Sequence, residues 1–126
     1  VGMVAIEFFL ANGVLLGNEM APRVHNSGHW TIEGAACSQF ENHLRAICGY
    51  PLGSTELVGE SIMYNLIGTV PLVEELLAIP GLHLHLYGKA ARPARKLGHV
   101  TLVATSHRDL ERAEARLRTL LFGAKE

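Results

Sequence analysis

An Asn12-Gly13 pair set between two apolar runs, VGMVAIEFFLA and VLLGNEM, constrains this chain more than any other feature. Both residues tolerate positive φ, which the two central positions of a tight hairpin turn require. Two antiparallel strands are therefore expected over residues 1–11 and 14–20. Each carries one carboxylate, Glu7 or Glu19, in otherwise apolar surroundings, where an unpaired charge is costly. With a strict two-residue turn, Glu7 faces Asn18 and Glu19 points to the other side of the sheet. A three-residue connection, or a bulge beside Gly13, changes the parity by one. Ala5, Glu7, Phe9, Leu15, Gly17 and Glu19 then share one face, and Val4, Ile6, Phe8, Leu10, Val14, Leu16 and Met20 share the other. Because the second set is almost wholly apolar, the pattern favours the odd-length connection and two carboxylates converging on one side.

Two carboxylates beside the amide of Asn18 suit Mg²⁺, a hard cation that takes one or two carboxylates and fills its shell with phosphate oxygens and water. The competing reading is two glutamates at strand edges, each with its own basic partner. The segment after Glu19, APRVHNSGHW, bears on the choice: it offers a guanidinium fork, imidazoles, an amide and a hydroxyl, as an anion-handling site does. Asn-Ser-Gly is also ordinary turn chemistry, and His29 and Trp30 also suit packing.

The remainder reads as α+β with short connections. A helix is expected after Ser38, with Glu41 closing a Ser-x-x-Glu capping box, an apolar face of Phe40, Leu44, Ile47 and Cys48, and a stop at Gly49 and Pro51. Strands are expected over Ser61–Gly68, His83–Tyr87 and His99–Ala104, with a short helix over Leu72–Ile79 stopped by Pro80-Gly81. Ser106 with Asp109 caps a last helix, in which Leu110, Ala113, Leu117, Leu120 and Leu121 recur at helical spacing. Its Arg108, Arg112, Arg116 and Arg118, beside Glu111 and Glu114, read as a solvated face with i,i+4 pairs.

The 126 residues bring 48% hydrophobic and 18% charged composition, which excludes disorder as the default, and a net charge of -1, which argues against binding nucleic acid or an anionic membrane through bulk charge. The 13-residue charge-free stretch Ser61–Val73 contains Pro71 and is too short to cross a membrane. Cys37 and Cys48 are too few for a disulfide scaffold and suggest a reducing, cytoplasmic setting. Four cations, Lys89, Arg92, Arg95 and Lys96, fall within eight residues around Pro93. Such a turn is commonly just solvated, and it also suits the paired oxygens of a phosphate monoester. His83 and His85 alternate onto one face, but no third ligand at supporting spacing makes them a zinc site.

The run NEMAPRVHNSGHWT, residues 18–31, closely resembles the signature of the 5-(carboxyamino)imidazole ribonucleotide synthases, the ATP-grasp carboxylases of de novo purine synthesis, and Glu7 twelve residues upstream of Glu19 fits the same resemblance. Other ATP-grasp ligases share the Glu…Asn-Glu skeleton; the His-Asn-Ser-Gly-His-Trp continuation is more particular. The stretch from Lys89 to His99 is similar to that family's strand, basic turn and strand near the C-terminus, departing at Ala94, where the family usually has glycine. Should that position need positive φ, alanine costs about 1 kcal/mol.

The resemblance implies the C-terminal end of an ATP-grasp domain over residues 1–50 (hairpin, loop, helix) and a small β-rich C-terminal domain with a final helix over 51–126. It implies ATP and Mg²⁺ as cofactors, with Glu7 and Glu19 on the metal and Asn18 and Glu19 toward ATP. It gives Arg23 and His25, and more weakly Asn26 and Ser27, to bicarbonate or carboxyphosphate. Lys89, Arg92 and Arg95, with Lys96 less surely, would grip the phosphate of aminoimidazole ribonucleotide. Its partners would be that ribonucleotide, bicarbonate and a missing N-terminal part of the same enzyme; a homodimer is compatible with it. The start at Val1, inside an apolar strand, is read as a cut, and the isolated chain is expected to be inactive. The alternative is a noncatalytic phosphate-ligand or partner-binding module that shares the hairpin, or another ATP-grasp ligase.

Overall fold

A computed structural model describes residues 1–123. The chain forms two compact units, Val1–Glu56 and Leu57–Glu126. In the first, β1 (Ala5–Ala11) and β2 (Val14–Ala21) make a hairpin, followed by a 3-10 turn (Asn26–Gly28), α1 (Thr31–Gly34) and α2 (Gln39–Ile47). In the second, β3 (Glu60–Ile67), α3 (Val73–Leu77), β4 (Leu82–Leu86), β5 (Lys96–Ala104) and α4 (His107–Phe122) form an antiparallel sheet of order β3-β5-β4 with two helices. Mixed helix and sheet is the class expected.

The hairpin closes through Asn12 at φ 51° and Gly13 at φ 76°, a strict two-residue turn with Ala11 opposite Val14. The expected odd-length connection is therefore not the device. The register shifts further along: Phe8 pairs with Gly17 and Glu7 pairs with Glu19, leaving Asn18 as the extra residue of a bulge. The bulge sits where the two strands reach the carboxylates instead of beside Gly13. Leu15 and Gly17 consequently lie opposite Leu10 and Phe8, away from the glutamates, while Val14 and Leu16 share the glutamates' face with Phe9. Both faces keep large apolar side chains in solvent, Leu10, Leu15 and Met20 on one and Phe9 and Val14 on the other.

Ser38 caps α2 by accepting from the Glu41 amide at 3.2 Å, as expected. The reciprocal half of the capping box is not made. Glu41 turns instead to Arg45, one helical turn on, at 2.5 Å, and that guanidinium holds the carboxyl below its usual pKa. Of the expected apolar face, Phe40 is half-buried while Leu44, Ile47 and Cys48 are exposed, and the buried positions are Gln39 and Asn42. Both are polar because they hold backbone. Asn42 accepts from the Gly53 amide at 2.8 Å and donates to the Gly53 carbonyl at 3.3 Å, which ties the segment after α2 back to it. The Ala36 amide donates to the Glu56 carbonyl at 2.8 Å, which keeps the chain up to residue 56 with this unit.

The second unit has an apolar core of Leu66, Leu76, Ile79, Leu82, Val100, Leu102, Leu110 and Leu117. Alternation puts Leu82 and Leu84 of β4 toward it, and helical spacing does the same for Leu110 and Leu117 of α4. Ser106 caps α4 through the Asp109 amide at 3.3 Å. Of the expected i,i+4 pairs, Glu114 with Arg118 is present at 3.7 Å. Tyr64 of β3 donates to Glu114 and accepts from Arg118 at 3.0 Å, fastening the helix to the sheet edge. His107 bridges Glu60 at 2.7 Å and Glu111 at 3.4 Å, and these carboxylates raise its pKa, Glu60 most. Among the described residues no helix is long and apolar enough to cross a membrane.

Candidate active site

The bulge gives the first unit its chemistry. With Glu7 directly opposite Glu19, both carboxylates lie on one side of the hairpin, and the Asn18 amide donates to Glu7 Oε2 at 3.3 Å. Ligand atoms of Glu7, Glu19 and His25 lie within 4.8 Å of one another, and among the described residues this is the one such group. His25 reaches in from the loop, its Nδ1 3.5 Å from Glu7 Oε1 and its Nε2 3.9 Å from Glu19 Oε1. Those distances are too long for hydrogen bonds. The ring is held elsewhere: the Ser27 amide donates to Nδ1 at 3.3 Å, and Ser27 Oγ lies 2.8 Å from the same nitrogen. A backbone N–H can only donate, so Nδ1 accepts, and the neutral ring carries its proton on Nε2, on the Glu19 side.

Arg23 sits four residues after Glu19 with its guanidinium 3.9 Å away and donates to the Val24 carbonyl at 3.0 Å. More than half its side chain is exposed, so this pair adds little stability and leaves the fork available to an anion. Asn26 opens the 3-10 turn, whose cap is His25. The structure thus brings Glu7, Asn18, Glu19, Arg23, His25 and Ser27 together.

Gln39 is the residue the sequence does not reveal here. From the start of α2, its Oε1 accepts from the His25 amide at 3.0 Å, and its Nε2 donates to the His25 carbonyl at 2.7 Å and approaches His29 Nδ1 at 2.9 Å. The only available sequence signal is a polar residue at the first position of a helix, which is common for local reasons. Beside it opens a cavity of about 320 Å³ whose lining includes His25, Ser27, Gly28, Trp30 and Gln39.

The basic turn lies in the second unit. Arg95 donates its amide to the Arg92 carbonyl at 3.1 Å, and Ala94 has φ 58°. Pro93 followed by a positive φ is the pattern of a type II turn, which favours glycine at the place Ala94 holds. The strain foreseen from the sequence is therefore present. Ala94→Gly is expected to stabilise this unit by about 0.5–1 kcal/mol, the relief being partly offset by the freer unfolded chain. Urea denaturation measures it, and a lower midpoint in the variant would refute the strain. Lys89 and Arg92 are exposed; Lys96 is not in the turn but is the first residue of β5. Arg95 also donates to the Ala90 carbonyl at 3.4 Å, which holds the loop. Lys89 Nζ stands 5.4 Å over the Tyr87 ring, and the Tyr87 hydroxyl lies 2.7 Å from Nδ1 of the buried His99. Burial raises the Tyr87 pKa. His85 stacks on His99 at 4.5 Å, whereas His83, two residues before it, is exposed.

Residues 1–40 match the ATP-grasp domain, and residues 61–113 match the phosphoribosylaminoimidazole carboxylase C-terminal domain. The chain is 57% identical over 121 residues to N5-carboxyaminoimidazole ribonucleotide synthase of Pseudomonas aeruginosa, with 96% of this chain and 34% of that protein covered. For the Vibrio cholerae synthase the values are 55%, 96% and 32%. The synthetase structure from Thermus thermophilus superposes with a TM-score of 0.91 at 58% identity, over 99% of this chain and 35% of that one. The Aspergillus clavatus synthase, solved in complex with ADP and 5-aminoimidazole ribonucleotide, superposes at 0.81 with 43% identity, over 94% and 34%. The chain thus spans about a third of the length of the curated relatives it matches. From end to end, what it is similar to is about a third of the N5-carboxyaminoimidazole ribonucleotide synthases.

Proposed function

We propose that the chain is the C-terminal third of an ATP-dependent carboxylase that makes N5-carboxyaminoimidazole ribonucleotide. The observation that carries this reading is the convergence of Glu7, Asn18, Glu19 and His25 within a chain so close to known synthases. The unit Val1–Glu56 is assigned to the end of the ATP-grasp domain and the unit Leu57–Glu126 to the small C-terminal domain. The apolar faces of the hairpin support a longer protein, because an isolated two-stranded ribbon is marginal and large exposed apolar surface is normally covered.

In the proposed reaction a bicarbonate oxygen attacks the γ-phosphorus of ATP, releasing ADP and forming carboxyphosphate. The exocyclic amine of the ribonucleotide then attacks the carbonyl carbon, loses a proton and expels phosphate. Two carboxylates and an amide are hard oxygen donors that fit Mg²⁺, so Glu7 and Glu19 would hold it with Asn18 beside them. When bound, Mg²⁺ neutralises charge on the ATP phosphates. Arg23 presents its fork to the carbonate-derived group, and His25 presents its Nε2 proton from a loop already fixed in place; preset donors stabilise developing charge without reorganisation. Asn26 and Ser27 complete that loop. Lys89, Arg92, Arg95 and Lys96 grip the ribonucleotide phosphate, with Lys89 steadied over Tyr87. A cytoplasmic location fits the two free thiols, Cys37 and Cys48.

Phosphate release by the full-length protein tests the reading. Hydrolysis of ATP is expected to require both bicarbonate and aminoimidazole ribonucleotide, and a rate indifferent to the ribonucleotide would end it. Arg92→Ala is expected to raise KM for the ribonucleotide about 10-fold or more through loss of a charge-assisted contact, with KM for bicarbonate unchanged. The reverse pattern would remove the turn from the phosphate site.

A further inference from the structure

We infer that Gln39 is a positioning residue for carboxylation: its carboxamide sets the His25 backbone and the His29 ring so that ATP cleavage stays coupled to transfer of the carboxyl group. This rests on the function proposed above.

Gln39 binds both main-chain groups of a residue fourteen positions earlier, as a neighbouring strand would. Residue 25 is thereby held extended, at φ -125° and ψ 150°, just ahead of the 3-10 turn. Gln39 is only 7% exposed, so these bonds are sheltered from competing water. Its nitrogen spends one hydrogen on the His25 carbonyl and turns the other to His29 Nδ1. Since a carboxamide nitrogen only donates, His29 Nδ1 accepts, and the His29 ring is fixed as the tautomer with its proton on Nε2. Phe40, the next residue of α2, packs against that ring at 5.1 Å. The Gln39 main-chain amide adds a further tie: it donates to Thr31 Oγ1 at 2.9 Å, whose hydroxyl donates to the Gly28 carbonyl at 2.6 Å. The loop that presents the anion donors is therefore held at residues 25, 28 and 29 from the first turn of α2.

Gly28 supplies an independent lever. A Cβ placed there would lie 2.7 Å from Gln39 Oε1 and 2.9 Å from Cδ, so the carboxamide lies against bare backbone. Displacing it moves His25, and small displacements of positioned groups cost rate steeply.

The test uses the full-length enzyme, with ADP release and carboxylated product measured together. Gln39→Ala is expected to lower product formation about 10- to 100-fold, raise KM for bicarbonate and raise the ATP hydrolysed per product, with KM for the ribonucleotide within about twofold. Gln39→Glu keeps the shape but cannot donate to the His25 carbonyl, so it is expected to show the same pattern. Gly28→Ala perturbs the contact without removing the amide, and keeps the inference testable if Gln39→Ala does not fold. The double variant is expected to be no worse than the more impaired single one. A purely structural Gln39 would lower thermal stability and active fraction with an unchanged ATP-to-product ratio; that result, or additive effects, overturns the inference. A wild type with no ribonucleotide-dependent hydrolysis overturns the functional reading itself, whereas an active wild type with unchanged variants overturns only the role of Gln39.

Discussion

Glu19→Gln in the full-length enzyme is expected to lower ribonucleotide-dependent ATP hydrolysis by at least about 10²-fold, the range seen when one preset electrostatic group is removed from an active site. The amide is nearly isosteric, so the hairpin and its bulge persist, and the change reads the charge alone. Glu7 is left as the one carboxylate on that face, and the substituted amide presents either an oxygen or a repelling N–H to a cation. The defect is expected to ease as Mg²⁺ is raised into the millimolar range while KM for the ribonucleotide stays constant, because the basic turn is untouched. Glu111→Gln serves as the comparison. Glu111 lies on the solvated face of α4, 3.4 Å from His107, and its loss should leave turnover unchanged. Full activity of Glu19→Gln at limiting Mg²⁺ would remove this carboxylate from the metal.

Leu117→Ala is expected to cost the second unit about 3 kcal/mol, from lost transfer energy and the cavity left behind. Leu117 is wholly buried in the cluster that α4 makes with the sheet. A unit of about 70 residues has roughly 4–10 kcal/mol of stability in total, so the loss is a large fraction of it. Amide exchange in β5 and α4 should accelerate by about two orders of magnitude in the variant, 1.4 kcal/mol being one factor of ten. A change below about 1 kcal/mol would mean that α3 and α4 close over the gap. Leu77→Ala is the contrasting case, since that side chain is largely exposed and its truncation should fall within about 0.5 kcal/mol.

What could be read from residues alone follows a physical division. Local rules carried well: Asn12-Gly13 set the turn, Ser38 and Ser106 set the caps, and the spacing of Leu110 and Leu117 set the buried stripe of α4. The convergence of Glu7 and Glu19 was legible because carboxylates in apolar strands need a reason. The route to it was not, since alternation counts parity and cannot locate the residue at which parity breaks. The inward face of α2 is not legible for a related reason. Hydrophobic periodicity ranks Leu44 and Ile47 as core, whereas this helix is anchored by Gln39 and Asn42, whose partners are main-chain groups fourteen residues before and eleven residues after them. Nothing in side-chain type announces a bond to backbone at that distance. The tether of Lys89 over Tyr87, fixed in turn by buried His99, was hidden likewise, because it depends on strand pairing between residues far apart.

The extra residue in β2 has a consequence for how such a site can be lost. In an unbroken strand, sequence neighbours such as Asn18 and Glu19 point in opposite directions, so one ion could use only one of them. At the bulge both serve the side where Glu7 stands. Excising Gly17 would bring Asn18 opposite Phe8 and restore regular pairing with Glu7 still opposite Glu19. The two acids would remain together while the amide turned away. Amide and carboxylate are thus separable by a change of chain length, with every remaining letter of the hairpin unaltered.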